Sequence, residues 1–355
     1  MSAAGSGKTT FLVDKALSRP DDRIAILTYT RKNLEELHSA FRRRVGHVPA
    51  HVTLQTWYEF LLRECARPYQ ASLYPAHRIE GIYFVEGQTK NYAKRSDIAR
   101  FYFLSDGVLL SDRASDFVIQ CNAASHGAVL RRLCARFTDV YIDEMQDLAG
   151  FDWELIELLL RSPIGITLVG DTRQGTFSTN LAAKNKQFRG HRASTLVEQW
   201  KAKGLCTVLQ RLVSYRCPQS ICTLADSLYP AMPATTSMND HISGHDGLYI
   251  VAPAHFEAYM AEFNPTILRY DRRTLTDGLP AFNFGEVKGL TFPRVLIAAN
   301  GPIQTFLRSG NPTSIKSPAK YYVAFTRAKH SLAFLYGGKC ALPGIQTYLP
   351  TEPGA

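Results

Sequence analysis

Six consecutive residues near the start of the chain have the composition of a phosphate-binding loop. They are Gly5, Ser6, Gly7, Lys8, Thr9 and Thr10. Glycines let successive backbone N–H groups turn toward phosphate oxygens, and a helix that begins there directs its positive dipole end at the same anion. The pattern predicts that Lys8 contacts the β- and γ-phosphates of ATP and that Thr9 offers its hydroxyl to Mg²⁺. The loop departs from the strict pattern at Ser2, where glycine is usual.

An acidic pair, Asp143 and Glu144, ends the apolar run VYIDE. A strand that ends in two acids suits ATP hydrolysis, with Asp143 holding Mg²⁺ through water and Glu144 acting as general base. The alternative is a solvated acidic pair at a strand end. Hydrolysis is favoured because Gln146 and Asp147 follow directly, and because a second run, ITLVGDTRQ, ends in Gln174. We expect Gln174 to contact the γ-phosphate and the attacking water.

Two arginines have the chemistry to complete such a site. Arg216 lies in the string SYR and Arg327 in YVAFTRAK. Phosphoryl transfer needs positive charge at the γ-phosphate, and a guanidinium group supplies it in a bidentate way. The alternative for any single arginine is a surface charge.

The elements that must position these residues follow an alternating pattern. Apolar β-branched runs alternate with amphipathic stretches, which predicts an α/β fold with parallel sheets. Strands are predicted at residues 24–28, 140–142, 166–169, 266–270, 295–299 and 331–336. Helices are predicted at residues 32–44, 153–160 and 216–228, the last entered through Pro218. Residues 68–133 lack this rhythm, which indicates an insertion, and residues 230–246 resemble a connecting segment.

The composition is that of a globular protein of two domains. The 355 residues carry a net charge of +10, which suits nucleic acid, an acidic membrane surface or no specific partner. No apolar run is long enough to span a bilayer and no signal peptide is evident. Seven scattered cysteines without zinc spacing indicate reduced thiols. We therefore expect a cytoplasmic protein with no membrane partner.

The motifs follow one another in the order of a known family. AAGSGKTT, LTYTRK, TLQTWYEFLLR, YIDEMQDL, LVGDTRQ, LVSYRCPQSI, EVKGLTFPRVLI and YYVAFTRAK resemble the motif series of superfamily 1 helicases, and the UvrD/Rep group most closely. The resemblance spans residues 3 to about 336. It implies two RecA-like P-loop domains that bind ATP and Mg²⁺ between them. We predict a first domain at residues 1–205, with a small insertion at about 68–133, and a second at 206–355.

The resemblance also assigns roles to further residues near the nucleotide. Arg216 and Arg327 are the expected arginine fingers of the second domain. Tyr215 would stack on adenine, and Gly289 would lie near the nucleotide. Thr291 stands where the family has a ribose-binding glutamate, which puts ribose recognition in question.

Nucleic-acid contacts are implied at other motif positions. These are Thr30, Arg31, Thr53, Trp57 and Phe177. Aromatic stacking and a basic groove can hold a single strand without reading its sequence. The family's histidine is Gln55 here, and for Trp57 core packing is an equally good interpretation.

Two expected parts of the family pattern are missing. Residues 1–3 are too few for the ordinary strand that precedes a phosphate-binding loop. Either the true start lies upstream or the first domain lacks its central strand, and a shortened start is the interpretation we favour. The large second-domain insertion is also absent, which makes ATP hydrolysis a firmer expectation than strand separation.

Three functions are compatible with these features. The first is a translocase or helicase that hydrolyses ATP and moves along single-stranded DNA. The second is an ATP-dependent switch with little unwinding, which acts on a nuclease or other protein partner in a repair or defence complex. The third is a viral-type RNA helicase, because GLTF and SYRCP also resemble that branch.

Overall fold

The computed structural model describes residues 1–90, 93–176, 178–181, 184–274, 276 and 278–350. The chain forms two compact units. One is Lys8–Leu209, and the other combines Met1–Gly7 with Gln210–Ala355.

The Lys8–Leu209 unit contains a parallel four-stranded sheet. The strands of the unit are β1 (Ile24–Thr28), β2 (Val52–Thr56), β3 (Gly81–Tyr83), β4 (Phe103–Ser105), β5 (Val108–Leu110), β6 (Asp139–Ile142) and β7 (Gly165–Leu168). The large sheet has the order β2-β1-β6-β7. The central strands β1 and β6 are buried along their whole length, which is why they read as continuous apolar runs.

Helices cover both faces of this sheet. They are α1 (Lys8–Leu17), α2 (Arg31–Val45), α3 (Trp57–Phe60), α4 (Ile98–Tyr102), α5 (Ala114–Ala124), α6 (Ala128–Arg136), α7 (Asp152–Leu160) and α8 (Ala193–Ala202). Alternate residues of β1 point to opposite faces. Ile24 and Ile26 pack with α1 and α2, while Ala25 and Leu27 pack with α3, α5, α7 and α8.

The predicted insertion has its own small sheet. Strands β3, β5 and β4 lie side by side in that order, separate from the large sheet. A π-helical segment, Leu61–Ala66, continues α3 and leads toward the insertion. Beyond the small sheet, α5 and α6 bury Phe117 and Leu133 in the core of the unit.

The second unit contains a parallel six-stranded sheet. The strands of the unit are β8 (Val213–Ser214), β9 (Thr236–Ser237), β10 (Gly247–Val251), β11 (Thr266–Arg269), β12 (Phe282–Asn283), β13 (Phe292–Ala298), β14 (Ala328–Leu335) and β15 (Ile345–Thr347). Its helices are α9 (Gln219–Asp226), α10 (Phe256–Phe263), α11 (Gly301–Ser309) and α12 (Pro318–Phe325). The sheet order is β12-β11-β13-β14-β10-β15, and β8 pairs with β9 separately. The predicted α/β class with parallel sheets is confirmed.

One predicted helix begins later than expected. The helix predicted at 216–228 starts at Gln219, after Pro218 with a ψ of 156°. Proline disfavours helical backbone in the residue before it, so the helix cannot extend back through Cys217, and Arg216 also lies outside α9.

The first seven residues pack with the second unit, whereas the predicted boundaries placed them in the first domain. The Ala3 N–H donates to the Arg211 carbonyl at 2.9 Å, and the Arg211 N–H donates to the Met1 carbonyl at 2.8 Å. Ala4 belongs to the buried core that also contains Tyr322. Ser2 makes a single bridge to Arg211 instead of a strand, so backbone pairing and apolar burial both hold this segment.

None of the seven cysteines forms a disulfide. Within the described residues, every helix is too short or too polar to cross a membrane.

Candidate active site

The acidic pair follows directly after β6 of the Lys8–Leu209 unit. Asp143 is buried, and Glu144 adopts the left-handed conformation with a φ of 54°. The Glu144 N–H donates to the Asp143 carboxylate at 2.8 Å. Left-handed backbone costs a residue other than glycine roughly 1–3 kcal/mol, and such conformations cluster at functional sites.

The buried acidic pair has too little positive charge near it to balance its carboxylates. Desolvation and then the neighbouring Glu144 charge raise the pKa of Asp143 to about 7, against the opposing effect of the Lys8 ammonium. A cation would relieve this imbalance, so the donors fit Mg²⁺. The carboxylate of Asp143 and the hydroxyl of Thr9 are hard oxygen ligands, and Mg²⁺ commonly takes only one or two carboxylates beside substrate phosphates. Among the described residues, no three His, Cys, Asp or Glu side chains form a cluster that could hold a metal ion.

Gln146 joins the acidic pair to the loop after β7. Its Nε2 donates to the Glu144 carboxylate, and its Oε1 accepts from the Asp171 N–H at 3.1 Å. The Asp171 carboxylate then accepts from Gln174 Nε2 at 2.9 Å and from Arg173 Nε at 3.2 Å. The structure therefore brings Gln174 and Glu144 into one hydrogen-bonded network. Gln146 and Asp171 were absent from the predicted site residues, although both lie inside the quoted motifs.

Gly170 makes this network sterically feasible. A Cβ at that position would lie 2.4 Å from Gln146 Oε1 and 2.6 Å from Met145 Cγ. Any larger residue would displace the amide that bridges the two loops.

The residues of the predicted phosphate-binding loop have the expected local geometry. Gly5 and Gly7 have φ values of 71° and 73°, and Lys8 begins α1. Ser6 is 1% exposed, and its Oγ has no hydrogen-bond partner among the described residues. A Cβ on Gly5 would lie 2.6 Å from Arg216 Cβ, so this position excludes other residues. Thr9 and Thr10 follow in the first turn of α1.

The two candidate arginines meet at Thr326 in the second unit. Arg216 Nη1 donates to the Thr326 carbonyl at 3.1 Å, and Arg327 Nη2 donates to Thr326 Oγ1 at 3.3 Å. Arg327 is 1% exposed and also donates to the carbonyls of Val323, at 2.9 Å, and Leu290, at 3.0 Å. In this structure, both guanidinium groups therefore donate hydrogen bonds to carbonyls of their own unit.

Of the other two candidates of this unit, Tyr215 precedes Arg216 in sequence and Gly289 lies near Arg327 through the neighbouring Leu290. Tyr215 is half exposed, which leaves its ring accessible. Gly289, with a φ of 84°, precedes the Leu290 carbonyl that accepts from Arg327. Their roles toward adenine and nucleotide stay predictions.

The candidates for nucleic-acid contact lie in the Lys8–Leu209 unit. Thr30 is exposed, and its Oγ1 caps α2 by accepting from the Asn33 N–H at 3.1 Å. Arg31, the first residue of α2, is exposed, and Thr53 on β2 is half-buried. Phe177 lies outside the described residues.

For Trp57 the structure supports core packing instead of base stacking. The side chain is 2% exposed, stacks on Phe60 and donates from Nε1 to the Asp152 carboxylate at 3.2 Å. A ring enclosed in this way offers no face to a nucleic-acid base. Gln55 is likewise buried, and it donates to Glu64 at 3.4 Å.

The fold and the site together define a class of protein. Two α/β units with parallel sheets, a glycine loop before α1 and an acidic pair after β6 are typical of RecA-like P-loop nucleoside triphosphatases. Residues 88–189, which include Asp143, Glu144 and Gln174, match the family described as UvrD/REP helicase N-terminal domain. Over this range the chain is similar to UvrD-like helicases.

Comparison with other proteins gives only distant similarity. No curated protein sequence matches the chain. The crystal structure of arterivirus nonstructural protein 10 (helicase) is 16% identical, with a TM-score of 0.47, over 94% of this chain and 58% of that one. Its complex with DNA is 15% identical, with a TM-score of 0.45, over 94% and 59%. The PRRSV helicase is 15% identical, with a TM-score of 0.42, over 95% and 51%. The chain thus spans between half and three fifths of these helicases.

Proposed function

We propose that the chain is a motor that hydrolyses ATP with Mg²⁺ and moves along single-stranded nucleic acid, DNA in the first instance. The hydrogen-bonded network from Glu144 through Gln146 and Asp171 to Gln174 is the observation that supports this most strongly. It joins a general base to a γ-phosphate sensor, and a purely structural acidic pair needs neither.

In the proposed reaction the protein groups orient the water and balance charge. Glu144 is the general base for the attacking water, and Gln146 holds its carboxylate in place. Thr9 and Asp143 would hold Mg²⁺, which supplies positive charge to the phosphates when bound. Lys8 would pair with the β- and γ-phosphates, and Gln174 would contact the water and the γ-phosphate.

Substitutions at the catalytic positions test this assignment. Lys8→Ala and Glu144→Gln should abolish ATP turnover measured as released phosphate, and chelation of Mg²⁺ should do the same to the unaltered protein. Glu144→Gln should still bind a fluorescent ATP analogue, because the amide keeps the size of the side chain. Normal hydrolysis by Glu144→Gln would show that another residue is the base.

The remaining candidate functions differ in their response to nucleic acid. Stimulation by RNA above DNA would favour an RNA helicase. A rate that no nucleic acid changes would favour a switch that acts on a protein partner such as a nuclease. The seven unpaired thiols support our expectation of a reducing compartment such as the cytoplasm.

A further inference from the structure

A buried hydroxyl lies at the end of β1 in the Lys8–Leu209 unit. Thr28, the last residue of the strand, is 1% exposed, and its Oγ1 makes no hydrogen bond among the described residues. Folded proteins seldom bury a hydroxyl in this way, because the group loses its hydrogen bonds to water. Where they do, a bound water or ion is a common reason. Thr28 is therefore a candidate for contact with a ligand.

The register of the sheet places Thr28 beside Asp143. Leu27 of β1 is level with Ile142 of β6, and the Asp143 N–H continues this pairing by donating to the Leu27 carbonyl at 2.9 Å. Thr28 is thus level with Asp143 on the neighbouring chain segment, at a strand spacing of about 4.8 Å. On its other side, Thr28 is level with Thr56 of β2. Three polar residues therefore lie side by side at the carboxyl edge of the sheet.

The two neighbours of Thr28 have hydrogen-bond partners. The Thr56 hydroxyl accepts from the Glu59 N–H at 3.3 Å and so caps α3. The Asp143 carboxylate accepts from the Glu144 N–H at 2.8 Å. Of the three side chains, Thr28 alone lacks a partner within the described part of the chain.

The alternation of side chains directs Thr28 and Asp143 toward α1. Alternate residues of β1 before Thr28, and Tyr141 of β6, pack with α1. Because successive side chains of a strand point to opposite faces, Thr28 and Asp143 continue this face. Helix α1 begins at Lys8. Thr28 therefore belongs to the face of the sheet that carries the residues expected to bind phosphate and Mg²⁺.

The chemistry of Mg²⁺ indicates what this hydroxyl can contact. Mg²⁺ is octahedral, and it usually keeps several waters beside one or two carboxylates and the substrate phosphates. Each of these waters has two hydrogens that need acceptors. A threonine hydroxyl has two acceptor lone pairs and no charge. It can hold such a water without adding to the negative charge of Asp143 and Glu144.

We propose that Thr28 is a positioning residue of the Mg²⁺ site, and that its hydroxyl accepts a hydrogen bond from a water of the Mg²⁺ shell next to Asp143. The inference rests on the proposed function, because it adds a residue to the site proposed there for ATP and Mg²⁺. A metal-bound water is favoured over a phosphate oxygen, because a phosphate at this place would stand beside the Asp143 carboxylate.

Metal affinity tests this role without relying on turnover. Mn²⁺ replaces Mg²⁺ as the probe, and electron paramagnetic resonance measures free Mn²⁺ during titration of protein saturated with a non-hydrolysable ATP analogue. Thr28→Val removes the hydroxyl and keeps the volume, so it should weaken Mn²⁺ binding roughly 10-fold, as for other residues that orient the ligands of a metal. Binding of the analogue with the metal chelated should be unchanged. Thr28→Ser should restore Mn²⁺ affinity because it restores the hydroxyl.

Turnover should show the same dependence on the metal. In Thr28→Val, the Mg²⁺ concentration that half-saturates ATP hydrolysis should rise roughly 10-fold, while kcat at saturating Mg²⁺ is retained. A loss of kcat that extra Mg²⁺ does not recover would overturn the proposal, because the hydroxyl would then act outside the metal shell.

Thr167 provides a matched control. It is half-buried on β7 of the same sheet, level with Tyr141 and two residues short of the level of Asp143. Thr167→Val makes the same chemical change away from the carboxyl edge, so it should bind Mn²⁺ like the unaltered protein. A similar loss of affinity in both variants would show a general effect on the sheet and would overturn the assignment.

A purely structural hydroxyl would give a different result. Its removal would lower the melting temperature of nucleotide-free Thr28→Val and leave Mn²⁺ affinity unchanged, which would overturn the proposal. We expect no such lowering, because the hydroxyl has no partner to lose among the described residues. If the unaltered protein binds Mn²⁺ with the analogue and Thr28→Val binds it equally well, only the assignment of Thr28 is wrong. If the unaltered protein binds no Mn²⁺ with the analogue, the proposed function fails as well.

Discussion

Glu144 has a strained backbone conformation that two neighbouring side chains hold in place. Its left-handed backbone is tolerated because the Asp143 carboxylate and the Gln146 amide hold it from two sides. The amide has a defined orientation, since Nε2 donates to Glu144 and Oε1 accepts from the Asp171 N–H. The side chain that we propose as general base is thus oriented by a neighbour two residues away.

Removing this amide should slow hydrolysis and weaken the fold. In Gln146→Leu the Glu144 carboxylate loses its donor and the Asp171 N–H loses its acceptor. We expect kcat for ATP to fall roughly 10- to 100-fold, because a misplaced general base loses part of its contribution to the rate. The free energy of unfolding should fall by about 1–3 kcal/mol, the cost of a buried unsatisfied group. Unchanged kcat in steady-state assays would contradict the positioning role.

Gly170 should be intolerant of even one methyl group. In Gly170→Ala the new Cβ would overlap Gln146 Oε1 unless the loop moves. We expect a loss of kcat similar to that of Gln146→Leu. Gly46→Ala is an unsuitable control because of its positive φ, whereas Gly301→Ala places a Cβ in open space and should retain activity.

The elements show which sequence patterns translate directly into structure. Residues 24–28 were predicted as a strand and form β1, because a continuous β-branched run is what a doubly covered parallel strand requires. The helix predicted at 216–228 spans only Gln219–Asp226, because Pro218 disfavours helical backbone in the residue before it. Contacts between distant elements, such as Gln146 with Asp171, leave no periodic signal in the sequence.

The role of Trp57 could not be predicted from the sequence either, because the residues around it favour core packing and base stacking equally. Its burial beside Asp152 means that Trp57→Ala should destabilise the Lys8–Leu209 unit by about 3–5 kcal/mol. Trp57→Phe should cost less and leave the affinity for a single strand unchanged. A stable Trp57→Ala variant that loses nucleic-acid affinity, measured by anisotropy and thermal melting, would favour base stacking.

The second unit contains a buried histidine that should make stability depend on pH. His245 stacks between Tyr249, at 3.8 Å, and Phe263, at 3.7 Å, and its Nε2 lies 2.9 Å from the Tyr259 hydroxyl. Burial and then the Arg294 charge lower the pKa of His245 to about 4, while Glu262 and Asp246 oppose this. The unfolded chain, with a pKa near 6.5, therefore binds a proton more readily than the folded one.

Stability should consequently be lost as pH falls from about 6.5 to about 4. One proton gives a slope of at most about 1.4 kcal/mol per pH unit, and less where water reaches the ring. His245→Phe removes this proton uptake, so its melting temperature should fall less steeply over the same range. Parallel pH profiles for the two proteins would show that His245 is not responsible.

At the scale of the whole molecule, the chain forms two α/β units with parallel sheets, and residues 88–189 match the UvrD/REP helicase N-terminal domain. The order of motifs was enough to predict the α/β fold with parallel sheets, because each motif contains residues with a different chemical role. The packing of Met1–Gly7 against Arg211 could not be predicted, since it depends on backbone pairing that carries no side-chain signal. A net charge of +10 is consistent with a polyanionic partner.

Nucleic acid should control ATP hydrolysis by this protein, and the rate of phosphate release during titration with single-stranded DNA tests this most directly. We predict a saturable increase of at least about 10-fold, equivalent to about 1.4 kcal/mol in the activation free energy, which Glu144→Gln abolishes. A rate that stays constant across the titration with DNA, and with RNA of the same sequence, would contradict the claim.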